Sequence, residues 1–115
     1  MTFAYQTNNE LEFPVFTMTG ELIDRNQANE LITEIDKLIT SGKSKFILDM
    51  SQLKYINSSG LSVLIILLTK ARKNEGEIVI SSVTQKVKEL LVITKLNSVF
   101  AVTKDVESAI KKLKQ

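Results

Sequence analysis

The sequence contains no cysteine, histidine or tryptophan, and it has a single proline in 115 residues. Without cysteine the chain cannot form a disulfide, a thiolate nucleophile or a Cys-ligated zinc site. Without histidine it has no imidazole base, no histidine phosphoacceptor and no metal site that uses histidine. A Ser-His-Asp hydrolase site is therefore excluded within this chain.

Glycine is also scarce, and its placement excludes further classes of site. The glycines at 20, 42, 60 and 76 lie too far apart for a Walker A loop or a dinucleotide-binding fingerprint. Asp49 lies near the end of a predicted strand, but no acidic pair follows the first strand to hold Mg²⁺ beside it. No pair of carboxylates has a convincing spacing for acid–base work. We therefore predict no catalytic residue, no metal site and no cofactor, and an enzyme or nucleotide-binding domain is the weakest hypothesis.

The length and charge of the chain indicate one ordinary globular domain, which we assign to residues 1–115. A chain of this size buries roughly two-thirds of its unfolded surface, enough for a core without disulfides. Its 15 Lys and Arg nearly balance 13 Asp and Glu, for a net charge of +2. The densest basic cluster, Lys111, Lys112 and Lys114, is typical of the solvated end of a last helix. We therefore expect no direct nucleic-acid partner.

No segment has the length or composition expected of a membrane span. The most apolar run, residues 61–68, is interrupted by Ser62 and is much shorter than the roughly 20 residues that a bilayer requires. The N-terminus lacks the basic region and apolar stretch of a signal peptide. The prediction is a cytoplasmic protein with no direct membrane insertion.

Periodicity predicts alternating strands and helices. Residues 3–7 and 11–19 have strand character around Asn8 and Asn9, which favours a hairpin, with Pro14 inside the second strand and Gly20 at its end. Residues 26–40 place apolar side chains at helical spacing, with Asp24 or Asn26 as a cap and Gly42 beyond the end. The remaining predicted strands are 45–50, 77–81 and 98–102, and the remaining helices are 59–73, 84–94 and 105–114. The spacing of apolar residues predicts inward faces for the last two helices, formed by Val87, Leu90 and Leu91 in the first of them and by Val106, Ala109, Ile110 and Leu113 in the second.

This order of elements predicts an α/β fold. Short connections between strand, helix and strand imply crossovers and a mostly parallel mixed sheet, with the N-terminal hairpin adding an antiparallel edge. We therefore expect one small domain with about four helices. In such sheets function gathers in the loops after the strands, which directs attention to the predicted loop 51–58.

The residues at the end of that loop are suited to a helix start. Asn57, Ser58 and Ser59 are all good N-cap types and precede a hydrophobic helix, and Gly60 lets another backbone approach. Capping needs one such side chain, whereas two hydroxyls stand side by side here. A phosphate on Ser58 would lie in the favourable field of the helix N-terminus and would add about two negative charges.

At these residues the sequence resembles the STAS domain, the family of anti-sigma factor antagonists. The resemblance includes Asp49 and Ser51, then Tyr55-Ile56, then the run from Asn57 to Leu61. Gly20-Glu21-Leu22 before the first helix and the order of elements support it over nearly the whole chain. The sequence departs from the family in two places. Asn57 stands where the family often has Asp, and the segment leading to Asp24 is one residue longer than usual.

The resemblance implies a function in partner switching. The unphosphorylated protein would bind an anti-sigma factor of the serine-kinase type and thereby release a sigma factor. That kinase would phosphorylate Ser58, and a metal-dependent serine phosphatase would restore binding. The alternative is a non-phosphorylated STAS adaptor subunit of a membrane transport ATPase. The implied partner-binding residues are Asp24, Asn57, Ser58, Ser59, Gly60 and Leu61, with Ser59 as the helix cap.

Overall fold

A computed structural model describes residues 2–115, and its strands and helices alternate as the sequence predicts. The strands are β1 (Phe3–Asn8), β2 (Val15–Leu22), β3 (Lys45–Ile56), β4 (Glu77–Ser81) and β5 (Ala101–Thr103). The helices are α1 (Asn29–Thr40), α2 (Ser58–Lys73), α3 (Gln85–Ile93) and α4 (Val106–Leu113). Two short 3-10 helices, Arg25–Ala28 and Leu96–Ser98, precede α1 and β5.

The strands form one five-stranded sheet in the order of the chain. β1 runs antiparallel to β2, and the other neighbouring strands are parallel. This arrangement confirms the predicted α/β class, with a mixed, mostly parallel sheet and an N-terminal hairpin. It also brings the ends of β2 and β3 together, because Leu22 pairs with Ile56.

The sheet divides the core into two unequal parts, because side chains alternate between its faces along each strand. The larger part packs α1, α2 and α3 against one face, around Phe16, Phe46 and Leu48. On the other face α4 covers Val15, Ile47 and Val79 with Ala109 and Leu113. The predicted inward face of the last helix is therefore confirmed.

The N-terminal hairpin has a longer connection than predicted. β1 ends at Asn8, whose side chain accepts a hydrogen bond from the Glu10 amide at 2.9 Å and starts a turn. Pro14 precedes β2 rather than lying inside it, and its carbonyl accepts from the Ile47 amide at 3.0 Å. Gly20 does not end β2 but lies within it, at φ +86° beside a shift in register. A side chain there would clash with the Thr2 carbonyl.

The predicted loop 51–58 is wrong, because β3 continues to Ile56. Its second half pairs with β2 alone, through Gln52, Leu53 and Tyr55. Register shifts in β2 break the regular alternation of side chains, and exposed Gln52 and Tyr55 lie beside buried Leu53. This irregular pattern explains why the segment looks like a loop in the sequence.

Smaller differences occur at the helix starts and in the last strand. Asp24 caps the 3-10 helix, and α1 itself begins only at Asn29. Gly42 follows α1 at φ +99°, as expected for a residue just beyond a helix end. The predicted strand 98–102 shortens to Ala101–Thr103, because Leu96–Ser98 forms a 3-10 helix.

Candidate functional site

The site lies at the junction between the end of β3 and the start of α2. Asn57 is the N-cap of α2, and its Oδ1 accepts a hydrogen bond from the Gly60 amide at 3.0 Å. Ser59 is therefore not the cap, and the helix starts at Ser58 rather than at Ser59. The amide oxygen of Asn57 reaches the third helical residue, which leaves both serine side chains exposed to solvent.

Asn57 also fastens this helix start to the end of β2. Its Nδ2 donates to the Ile23 carbonyl at 3.1 Å, and its backbone amide donates to the Leu22 carbonyl at 3.3 Å. The next residue, Asp24, is exposed and accepts from the Asn26 amide at 3.0 Å. Asp24 and Ser58 are thus held in adjacent segments although they are distant in sequence.

Gly60 makes the close approach that its position in the sequence predicts. A Cβ at this residue would lie 2.3 Å from the Leu22 carbonyl oxygen and 2.5 Å from Cγ1 of Ile56. Contacts this short do not occur in real structures, and one of the neighbouring atoms belongs to backbone. The absence of a side chain therefore lets α2 start directly against the end of β2.

The apolar residues that follow belong mostly to the core. Leu61 is only 4% exposed and Leu64 is fully buried. Ile65 is 40% exposed and is the one member of this group with substantial apolar surface. Leu61 therefore supports the helix start from inside, and its side chain offers little surface to another molecule.

A groove of about 470 Å³ runs between the start of α2 and α3. Ser58 lines it together with Asn57, Tyr55 and Ile56, and α3 supplies the opposite wall. Its lining includes two exposed apolar side chains, Tyr55 at 43% and Ile93 at 77% exposure. The arrangement places the Ser58 hydroxyl in a groove that also exposes apolar side chains.

The α3 side of this groove was not predicted from the sequence. It consists of Lys86, Val87, Glu89, Leu90 and Ile93. Val87 and Leu90 belong to the inward face that helical spacing indicates, whereas Ile93 lies outside that face. An isoleucine on the polar side of a short helix was a signal that could have directed attention to α3.

Within residues 2–115, no helix is both long enough and apolar enough to cross a membrane.

Comparison with known proteins identifies the family to which the chain belongs. The family model of the STAS domain matches residues 4–109. The chain therefore belongs to the STAS domain family.

Individual relatives are anti-sigma factor antagonists by name. The chain is 28% identical over 88 residues to the "Putative anti-sigma factor antagonist BtrV" of Bordetella bronchiseptica, covering 76% of each chain. The fold is similar to that of an anti-sigma factor antagonist from Mycobacterium paratuberculosis, with a TM-score of 0.82, 18% identity, and coverage of 99% of this chain and 96% of that one. It is also similar to the Bacillus cell fate determinant SpoIIAA in its phosphorylated form, with a TM-score of 0.73, 18% identity, and coverage of 95% and 98%.

Proposed function

We propose that the protein is an anti-sigma factor antagonist that binds its partner through the groove between α2 and α3, and that phosphorylation of Ser58 ends this binding. The observation that carries the proposal is the position of Ser58. It is exposed at the start of α2 and lines a groove flanked by Tyr55 and Ile93. The relatives named as anti-sigma factor antagonists support the class of partner.

In the unphosphorylated state the partner is an anti-sigma factor of the serine-kinase type. Tyr55 and Ile93 offer apolar surface that a partner can bury, which is the main source of affinity in such a groove. The residues proposed to form or support the rest of the surface are Asp24, Asn57, Ser58, Ser59, Gly60 and Leu61. Of these, buried Gly60 and Leu61 act by holding the helix start in place.

Phosphorylation changes the charge of the surface without changing the fold. A phosphoserine carries about −1.5 to −2 charges near neutral pH. Burying that group against a partner without a matching cation costs several kcal/mol, enough to separate the complex. The partner kinase adds the phosphate, and a metal-dependent serine phosphatase removes it. In this scheme the chain regulates transcription in the cytoplasm and performs no catalysis of its own.

Intact-mass measurement after incubation with ATP and candidate serine kinases from the host tests the modification. Ser58→Ala is the test variant, and Ser59→Ala is the matched control on the next exposed serine. We expect the mass of one phosphate to be gained by the native chain and by Ser59→Ala but not by Ser58→Ala. A gain that persists in Ser58→Ala would contradict the assignment of the phosphoacceptor.

Calorimetric titration with the kinase so identified tests the surface. Ile93→Ser removes apolar surface at the groove, whereas Val102→Ser removes exposed apolar surface outside it. We expect Ile93→Ser to weaken binding by about tenfold or more, which corresponds to about 1.4 kcal/mol, and Val102→Ser to leave it nearly unchanged. Equal effects of the two variants would refute the groove as the docking surface. If no host kinase phosphorylates the chain and a transport ATPase copurifies with it, the adaptor alternative would be favoured.

A further inference from the structure

The groove that contains Ser58 also contains two charged side chains, and both come from α3. They are Lys86 and Glu89, which are exposed. Oε1 of Glu89 accepts a hydrogen bond from Nε2 of Gln85 at 3.3 Å. Lys86 takes part in no ion pair among residues 2–115. It is thus a cation in the groove without a counter-ion from the protein.

The stability of α3 does not explain a lysine at this position. α3 begins at Gln85, so that Lys86 lies in its first turn, and no acidic residue is present there. The partial positive charge of a helix N-terminus favours acidic side chains and disfavours lysine. Both the helix and Lys86 would instead favour an anion in the groove, and Ser58 is the groove residue that can acquire one.

We propose that Lys86 binds the phosphoryl group carried by Ser58. This inference rests on the proposed phosphorylation and describes which side chain binds the phosphoryl group once Ser58 is modified. The ammonium group pairs with the phosphoryl oxygens across the groove and keeps the phosphate between Tyr55 and Ile93. The bound phosphate then occupies the apolar docking surface, so that the partner is excluded by volume as well as by charge.

The other charged and polar groups of the groove set the strength of this pairing. Glu89 opposes it, since its carboxylate lines the same groove. Asn57 is neutral, so Glu89 is the only acidic residue in the lining. Lys88, two residues along α3, lines a different groove with Lys104 and therefore serves as a matched control for charge.

The test uses protein with phosphoserine incorporated genetically at position 58, so that no kinase is needed. Phosphorus NMR follows the second ionisation of the phosphate, whose ordinary pKa is about 6. At low ionic strength we expect Lys86→Gln to raise this pKa by about 0.5, a value set by the interaction of two unit charges at close range in water. Lys88→Gln should change it by less than half as much, and Glu89→Gln should lower it.

Equal effects of Lys86→Gln and Lys88→Gln would overturn the proposal, as would a pKa that none of the variants changes. Far-UV circular dichroism establishes that each variant is folded, which is expected for exposed positions. Because the phosphate is installed without a kinase, the result is independent of the mass measurement proposed above. A failed mass measurement with a Lys86-dependent pKa would reject phosphorylation as the physiological signal while retaining the anion contact.

Discussion

Asn57 holds the start of α2 through two atoms with separate partners, and its replacement should have a measurable cost. Oδ1 accepts from the Gly60 amide at 3.0 Å, and Nδ2 donates to the Ile23 carbonyl at 3.1 Å. Asn57→Ala removes both contacts. Loss of an N-cap costs about 1 kcal/mol and loss of a second hydrogen bond about 0.5–1.5 kcal/mol. We expect the free energy of unfolding to fall by about 1.5–2.5 kcal/mol, the sum of these two contributions.

Asn57→Asp separates the two contributions. A carboxylate still accepts from the Gly60 amide, and its charge gains about 0.5 kcal/mol at a helix N-terminus. It cannot donate, so that an oxygen faces the Ile23 carbonyl where an amide donor was. The expected order of stability is therefore native, then Asn57→Asp, then Asn57→Ala.

Urea unfolding followed by far-UV circular dichroism at pH 7 measures these differences in a chain without tryptophan. Ser59→Ala, in the same helical turn but without a capping role, should remain within about 0.5 kcal/mol of the native chain. A loss below about 0.5 kcal/mol for Asn57→Ala, or Asn57→Asp less stable than Asn57→Ala, would refute the reasoning.

Three further predictions follow from other contacts. Gly60→Ala should lower the free energy of unfolding by about 1–3 kcal/mol in the same urea assay, because its Cβ would overlap the Leu22 carbonyl; an unchanged midpoint would contradict this. Ser81→Ala should be neutral or stabilising by about 1 kcal/mol, since the buried Ser81 hydroxyl has no hydrogen-bond partner among residues 2–115; a clear loss of stability would reveal a partner. Partial burial, and then the hydrogen bond to Glu34, raise the pKa of Tyr5 from 10.0 to about 12. The stabilisation that accompanies this raised pKa is complete below pH 10 and is lost towards pH 12. The difference in free energy of unfolding between the native chain and Tyr5→Phe should therefore shrink over that range, and a difference that stays constant would contradict the raised pKa.

The parts of the fold that depend on local patterns could be predicted from the sequence. The last helix carries Ala109 and Leu113 on one face, and that face covers the sheet as expected. The second half of β3 could not be predicted, because it pairs with one strand and its side chains do not alternate regularly.

Only the part of the site that is contiguous in sequence could be predicted. Asn57, Ser58 and Ser59 are all suitable caps, and geometry alone decides that Asn57 fills the role. Lys86 and Ile93 reach the groove through the packing of α3, which is encoded far from Ser58 in the sequence. The one local signal of this packing is the position of Ile93 outside the inward face of the helix.

The segment of β3 beyond β4 has a consequence for amide hydrogen exchange. Between residues 50 and 56 the strand pairs with β2 alone, whereas residues 47–49 are paired on both sides. Local opening of this segment withdraws Met50, Leu53 and Ile56 from the core, but it breaks one strand ladder rather than two and leaves the rest of the sheet intact. It therefore requires less free energy than global unfolding. Its amides should therefore exchange with deuterium by local opening, well before those of Ile47 and Leu48. Ser58, the proposed phosphoacceptor, thus follows a stretch of β3 that is paired on one side only, and a partner bound at the groove should be detected there as protection from exchange.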